Sequence, residues 1–425
     1  MESLKKLLHG LAVRIGKLVA AFLPDRVPVT FVGSDAVAEL CESIAHSGVA
    51  KLLLVTDETL VRLGLVERVG ASLDAAGLRW SVYAGVLPDP TFDQIAAGYD
   101  QLESDGCDAV LALGGGSPMD AAKMIAALGA NGRPLSKLEG RFKVRLAPLP
   151  LFAIPTTAGT GSEVTIAAVV SDSTSHEKKF FLDPKLLPLM AALDPTLMSG
   201  LPPAVTAATG MDALTHAVES FIAKTSTAQT ERYARLAIRL VFEHLPVAYR
   251  DGSDLAARKA MALASYYAGL AFTRTSVGYV HAIAHTFGAH YGTPHGLANA
   301  IALPHVLEFS KSEARGRLAL LADLVGVGCG ATSDADKADR FIEAIRELMG
   351  EVGIASHLDS IEREDIGAIA RQACAEAFLN YPVPKYMTEH ECAELVGRIA
   401  PPQPQPQPES QPSPWTSAGA IGRPG

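Results

Sequence analysis

The spacing of hydrophobic positions changes character twice along the chain. Between residues 4 and 22, Leu4, Leu7, Leu8, Leu11, Ile15, Leu18, Val19 and Phe22 recur at steps of three and four. That period places them on one face of a helix, opposite Lys5, Lys6, Arg14 and Lys17, and Pro24 ends it. From residue 28 to about 199 the pattern becomes short apolar runs, KLLLVTD at 51–57, DAVLALG at 108–114 and LFAIPTT at 151–157, alternating with helical stretches. This is the signature of an α/β layered domain. From about 200 to 400, Ala, Leu and Ile take helical spacing, and 203–223, 226–246, 254–273, 279–290 and 337–350 read as helices. The expected fold is an α/β N-terminal nucleotide-binding domain over 28–199 and an all-α C-terminal domain over 200–400, with the site in the cleft between them. Residues 401–425 (PPQPQPQPESQPSPWTSAGAIGRPG) offer little to bury beyond Trp415 and read as a disordered or polyproline tail.

Composition narrows the class. The 425 residues carry 37 Lys and Arg against 46 Asp and Glu, a net charge of -9, which argues against a nucleic-acid partner. No apolar run approaches the roughly 20 residues that span a bilayer. Arg14 and Lys17 interrupt the stretch that a secretory signal needs, so residues 1–27 read as an amphipathic helical extension. That extension either packs on the domain or a sister subunit, or serves as a membrane-surface, targeting or shell-docking element. The cysteines Cys41, Cys107, Cys329, Cys374 and Cys392 are dispersed, with no CxxC pair, so a reducing, cytoplasmic location is expected.

Chemistry concentrates in four stretches. Ala109–Leu113 followed by Gly114-Gly115-Gly116-Ser117-Pro118 and Met119–Lys123 reads strand, glycine loop, helix. Glycines let the backbone approach a pyrophosphate, and the helix N-terminus offers N–H groups to it; a plain tight turn is the alternative. Asp57, at the end of Leu52–Thr56, can accept ribose hydroxyls and repel a 2'-phosphate, or simply cap the next helix. A second loop, Pro155–Glu163, supplies hydroxyls and open backbone after a buried strand. Asp212 and His216 stand four apart on one predicted helical face, and four histidines fall between 281 and 295. Several imidazoles among apolar residues need partners, and one carboxylate with neutral imidazoles suits a divalent ion, Fe(II), Zn(II) or Mn(II).

With these motifs, GGGSPMDAAK at 114–123, PTTAGTGSEVT at 155–165, GMDALTHAVE at 210–219 and HAIAHTFGAHYGTPHGLANAIALPH at 281–305, the chain resembles the iron-containing, group III alcohol dehydrogenases. These are relatives of glycerol dehydrogenase and dehydroquinate synthase. The resemblance covers about residues 28–400 and leaves out the first helix and the tail. It implies that Asp212, His216, His281 and His295 hold one metal ion, Fe(II) favoured over Zn(II). It implies NAD contacts at Asp57, Gly115, Gly116, Ser117, Asp120, Thr156, Thr157, Thr160 and Lys179. His285 then stands near the reacting carbon as a candidate proton carrier, and Phe272 lines the substrate pocket. The implied activity is reversible hydride transfer between a small alcohol and NAD, the ion acting as a Lewis acid on the substrate oxygen. A homo-oligomer is expected, with the N-terminal helix as one surface for it. A polyol dehydrogenase of the glycerol type and a catalytically idle NAD-binding assembly protein are the alternatives. Cyclisation chemistry is set aside, because residues 266–305 hold only Arg274 for a phosphorylated acid.

Overall fold

A computed structural model describes residues 2–22, 26–174 and 177–401. The expectations for Pro24, for the side chains of Val19 and Phe22, and for the tail with Trp415 lie outside what it describes.

The apolar runs form parallel strands because they are buried on both faces. Six strands, β1 (Val29–Val32), β2 (Lys51–Val55), β3 (Arg79–Tyr83), β4 (Ala109–Gly114), β6 (Leu151–Pro155) and β9 (Met190–Leu193), pair in the order β1-β9-β6-β4-β2-β3, every pair parallel. A smaller sheet runs β5 (Gly140–Arg141), β8 (Lys178–Leu182), β7 (Ala167–Ser171). Strand alternation splits the core: Leu53, Val55, Val110 and Ala112 face one side, Leu52, Leu54, Leu111 and Leu113 the other. Helices α2 (Ala36–Ala45), α3 (Glu58–Arg62), α4 (Leu65–Ala75), α5 (Phe92–Ser104) and α6 (Gly116–Asn131) connect the strands. Register aligns Val55 with Ala112 and Gly114 with Pro155, so the segments after β2, β4 and β6 emerge along one edge. A crevice at that edge is where open parallel sheets bind ligands.

The second half is helical: α7 (Pro203–Ile222), α8 (Ala228–Arg250), α9 (Leu255–Thr275), α10 (Tyr279–Tyr291), α11 (His295–Leu324), α12 (Asp334–Glu351), α13 (Ile366–Asn380) and α14 (Glu389–Ile399). The apolar period does not predict the 30-residue α11. Pro304 inside it reads as a stop signal, and burial around most of its first half leaves no single apolar stripe to detect.

The N-terminal helix α1 (Glu2–Phe22) lies on α13. His9, 2% exposed, makes a 2.7 Å hydrogen bond from Nδ1 to the Phe378 carbonyl, and Lys5 pairs with Glu389 at 3.6 Å. The apolar stripe does not face the body: Leu4, Leu7, Leu8, Leu11, Ile15 and Leu18 are 43–70% exposed. Among the described residues no helix is long and apolar enough to cross a membrane.

Candidate metal and nucleotide site

Residues four and seven apart return to the same side of a helix, so α7 presents Asp212, His216 and Glu219 together. His281 and His285 stand one turn apart on α10, and His295 opens α11. Asp212 Oδ1 lies 3.9 Å from His216 Nδ1, 3.8 Å from His281 Nε2 and 3.6 Å from His295 Nε2. His216 Nδ1 and His281 Nε2 are buried without a hydrogen-bond partner. Burial holds both rings below the ordinary imidazole range, so they are neutral near pH 7 and carry free lone pairs. Orphaned nitrogens converging on one carboxylate oxygen are costly unless a cation completes them, and the residues therefore fit a divalent metal ion.

Supporting groups complete the cluster. Glu219 accepts the Gly278 and Val280 N–H groups, each at 2.8 Å, and lies 2.6 Å from His281 Nδ1. A carboxylate there makes Nδ1 the donor and turns Nε2 toward Asp212. Burial outweighs the N–H donors and pushes the Glu219 carboxyl up to about 8, and a cation at His281 would bring it down and favour the carboxylate. Asn299, fully buried, donates from Nδ2 to Asp212 Oδ1 at 2.7 Å and lies 3.1 Å from His295 Nε2. Phe272 stacks on His216, ring centroids 4.1 Å apart. His285 sits beside the cluster, its ring stacked on His295 at 5.3 Å, with Nδ1 2.7 Å from Glu376 Oε1. That same oxygen accepts the Tyr381 hydroxyl.

The nucleotide half is built from backbone. The first turn of α6, starting at Gly116 and Ser117, has no side-chain cap, which leaves its N–H groups for a ligand. A Cβ on Gly115 would sit 3.1 Å from Thr157 Oγ1, and one on Gly116 3.1 Å from Thr160 Cγ2, so the two loops press together. On its other side the Thr-rich loop meets the helical half, since a Cβ on Gly159 would fall 2.8 Å from the Thr209 carbonyl oxygen of α7. This loop is the seam between the half-sites. Thr156 is buried, with its N–H on the Gly114 carbonyl, while Thr157 and Thr160 are half-buried. Asp57 caps α3, accepting the Leu60 N–H at 3.0 Å, so the capping alternative describes one of its oxygens.

Behind the crevice Lys123, 1% exposed, donates to Ser162 Oγ, Thr165 Oγ1 and the Ala167 carbonyl at 2.7–2.9 Å. Asp120 accepts from Ser162 Oγ and the Val169 N–H, which places its carboxylate in the supporting wall. Burial lowers Lys123 to about 8 and raises its neighbour Glu163 to about 7. On β8 the Lys179 ammonium is paired with Glu177 at 2.7 Å, with Glu139 3.9 Å away, and that of Lys178 with Asp89 at 2.8 Å. Alternation along β8 puts Lys178 on the face of Phe180, whose ring lies 6.3 Å from His285, and the Lys178 charge reaches both Asp120 and His295.

The profile of iron-containing alcohol dehydrogenases matches residues 28–195, and that of the family's C-terminal domain matches 206–399. The chain belongs to the iron-containing alcohol dehydrogenase family. The NAD-dependent methanol dehydrogenase of Bacillus methanolicus is 37% identical over 377 residues, 88% of this chain and 98% of that one. The lactaldehyde reductase of Escherichia coli K12 is 39% identical over 345 residues, 80% and 90% of the two chains. The crystal structure of a 1,3-propanediol oxidoreductase superposes with a TM-score of 0.86 at 37% identity, covering 88% and 98%. As an iron-containing alcohol dehydrogenase the protein is an oxidoreductase. Its site also contains residues that the sequence reading passed over. Glu219 and Lys123 had a legible signal, a carboxylate at the i+7 position of the ligand helix and a lone cation in an alanine-rich one; Asn299, Glu376 and Tyr381 had none.

Proposed function

We propose that the protein is an NAD-linked, metal-dependent dehydrogenase interconverting a small alcohol and its aldehyde or ketone. The observation that carries this reading is the set of three imidazole nitrogens 3.6–3.9 Å from Asp212 Oδ1, joined by the Thr-rich loop to an uncapped helix N-terminus. Asp212, His216, His281 and His295 would hold the ion; Fe(II) follows the family, and Zn(II) suits the same donors. When bound, a divalent ion supplies Lewis acidity toward the substrate oxygen.

The chain's own groups do the rest. Gly115, Gly116 and Ser117 receive the cofactor pyrophosphate on backbone N–H groups, with Thr156, Thr157 and Thr160 beside it and Asp120 steadying Ser162. Asp57 accepts ribose hydroxyls with the capacity its cap leaves over and disfavours NADP. Lys179, with Lys178 beside it on β8, supplies the positive charge near the cofactor. Phe272 and Phe180 wall the pocket with apolar rings. His285, its Nδ1 turned to Glu376, keeps Nε2 to take the alcohol proton toward water.

We further place the protein in a reducing cytoplasm, where its five free thiols stay unpaired. We assign its homo-oligomer contact to the outer edge of β1, where Val27, Val29 and Val32 are 41–58% exposed. Metal-free protein loaded anaerobically with Fe(II) or Zn(II), assayed on short alcohols and aldehydes with NAD and NADP, tests the reading. Metal-dependent turnover with NAD is expected, and Asp57→Gly relaxes the preference. Absence of nicotinamide-linked turnover with either ion overturns the function; equal use of NADP by the unmodified enzyme overturns the role of Asp57.

A further inference from the structure

We propose that α1 is a docking helix for an anionic lipid surface, on which the enzyme lies without crossing the bilayer. Three observations on α1 converge. Its side chains divide by face: His9 is buried against the Phe378 carbonyl, while six large apolar side chains from Leu4 to Leu18 point outward at 43–70% exposure. The stripe covers fourteen residue steps, about 21 Å of helix. A helix that simply completed the core would turn these residues inward, and the buried histidine holds the opposite orientation. Second, Lys6, Arg14 and Lys17 are exposed along one flank of the stripe, and no acidic residue occurs between positions 4 and 18. Third, the chain as a whole carries a net charge of -9, so this face is a local cationic exception.

These features select the occupant. The stripe requires a surface with reachable hydrocarbon, and the flank requires negative charge; a bilayer containing anionic headgroups offers both, and a basic amphipathic helix settles at its interface. A second copy of α1 would bring the same cations toward Lys6, Arg14 and Lys17. Residues 402–425 of this chain bring one acid, Glu409, and few apolar groups. The inference does not depend on the catalytic reading, because α1 contributes nothing to the metal or nucleotide groups.

Flotation of the full-length protein with vesicles tests it. The protein is expected to float with phosphatidylglycerol-containing vesicles and far less with pure phosphatidylcholine, and to be released progressively by salt. The double substitution Leu7→Glu, Leu11→Glu is expected to lower the bound fraction on anionic vesicles about tenfold or more, with turnover in vesicle-free buffer unchanged. Lys6→Gln, Arg14→Gln and Lys17→Gln should each lower partitioning about fivefold. Equal failure to float with both vesicle types overturns the proposal, as does unchanged flotation of the double Leu variant. So does a sedimentation result in which that variant changes only the size of the assembly, which would show the stripe covered by another copy.

Discussion

Around Asp212 the chain crowds side chains whose lone pairs it leaves unmet, whereas around Gly115 it leaves backbone N–H groups open and pairs the buried charges behind them. The metal cluster has orphaned His216 and His281 nitrogens within one helical bundle. The nucleotide crevice has bare α6 N–H groups in front, and behind them a lysine with three acceptors. The difference follows from the ligands each half suits. A cation must be enclosed by lone pairs that nothing else satisfies, while a dinucleotide is received along loops that must hold their shape before it arrives. One half is stabilised by its ligand, the other ready without it.

Breaking the cluster should have the largest effect. His281→Ala is expected to abolish metal retention and cut turnover about a thousandfold or more, with nucleotide affinity nearly intact, as measured by metal analysis and nucleotide binding. Full metal stoichiometry in that variant would remove His281 from the ligand set. Next comes the pH behaviour of the nucleotide half. Glu163, raised to about 7, keeps its proton in the folded chain over a range where the unfolded chain has released it. Stability from this group is complete below about pH 4.5, falls as pH rises, and levels off above about 7, a total on the order of 3 kcal/mol. Denaturation of the wild type and Glu163→Gln at pH 5 and pH 8 should show the variant gaining relative stability at the higher pH; a constant difference would mean that Glu163 is ionised throughout.

Sharpening the contrast needs the supporting groups. Glu219→Gln should weaken metal affinity about 10- to 100-fold, because His281 loses the charged partner that sets its tautomer, while the NAD KM stays put. Lys123→Met should do the reverse, raising the NAD KM about tenfold with metal content unchanged, since Ser162, Thr165 and Ala167 lose a shared donor and the loop loosens. If Lys123→Met released metal instead, the two halves would be one cooperative unit.

How much of this could be read beforehand depends on sequence distance. Asp212 and His216 share a helical turn, and His281 and His285 another, so their convergence is local geometry with a recognisable period. The glycine loop after β4 is also local, as strand, turn and helix follow one another in the chain. Lys178 and Lys179 are adjacent on β8, and which acid each pairs with, Asp89 or Glu177, depends on how the strand is seated. Pro304 concealed α11, because a helix held by neighbours on several sides tolerates a residue that would end an isolated one.

The sequence by itself determined the α/β half, the helical half and the residue types that suit an ion, because apolar period and residue chemistry are properties of short segments. Tertiary structure alone decided that Glu219 would orient His281, that Glu376 and Tyr381 would hold His285, that Asp120 and Lys123 would brace a loop some forty residues away, and that the leucine stripe of α1 would face outward. Those outcomes depend on which surfaces meet when the segments pack. Contacts across such separations leave no spacing in the chain by which they can be foreseen.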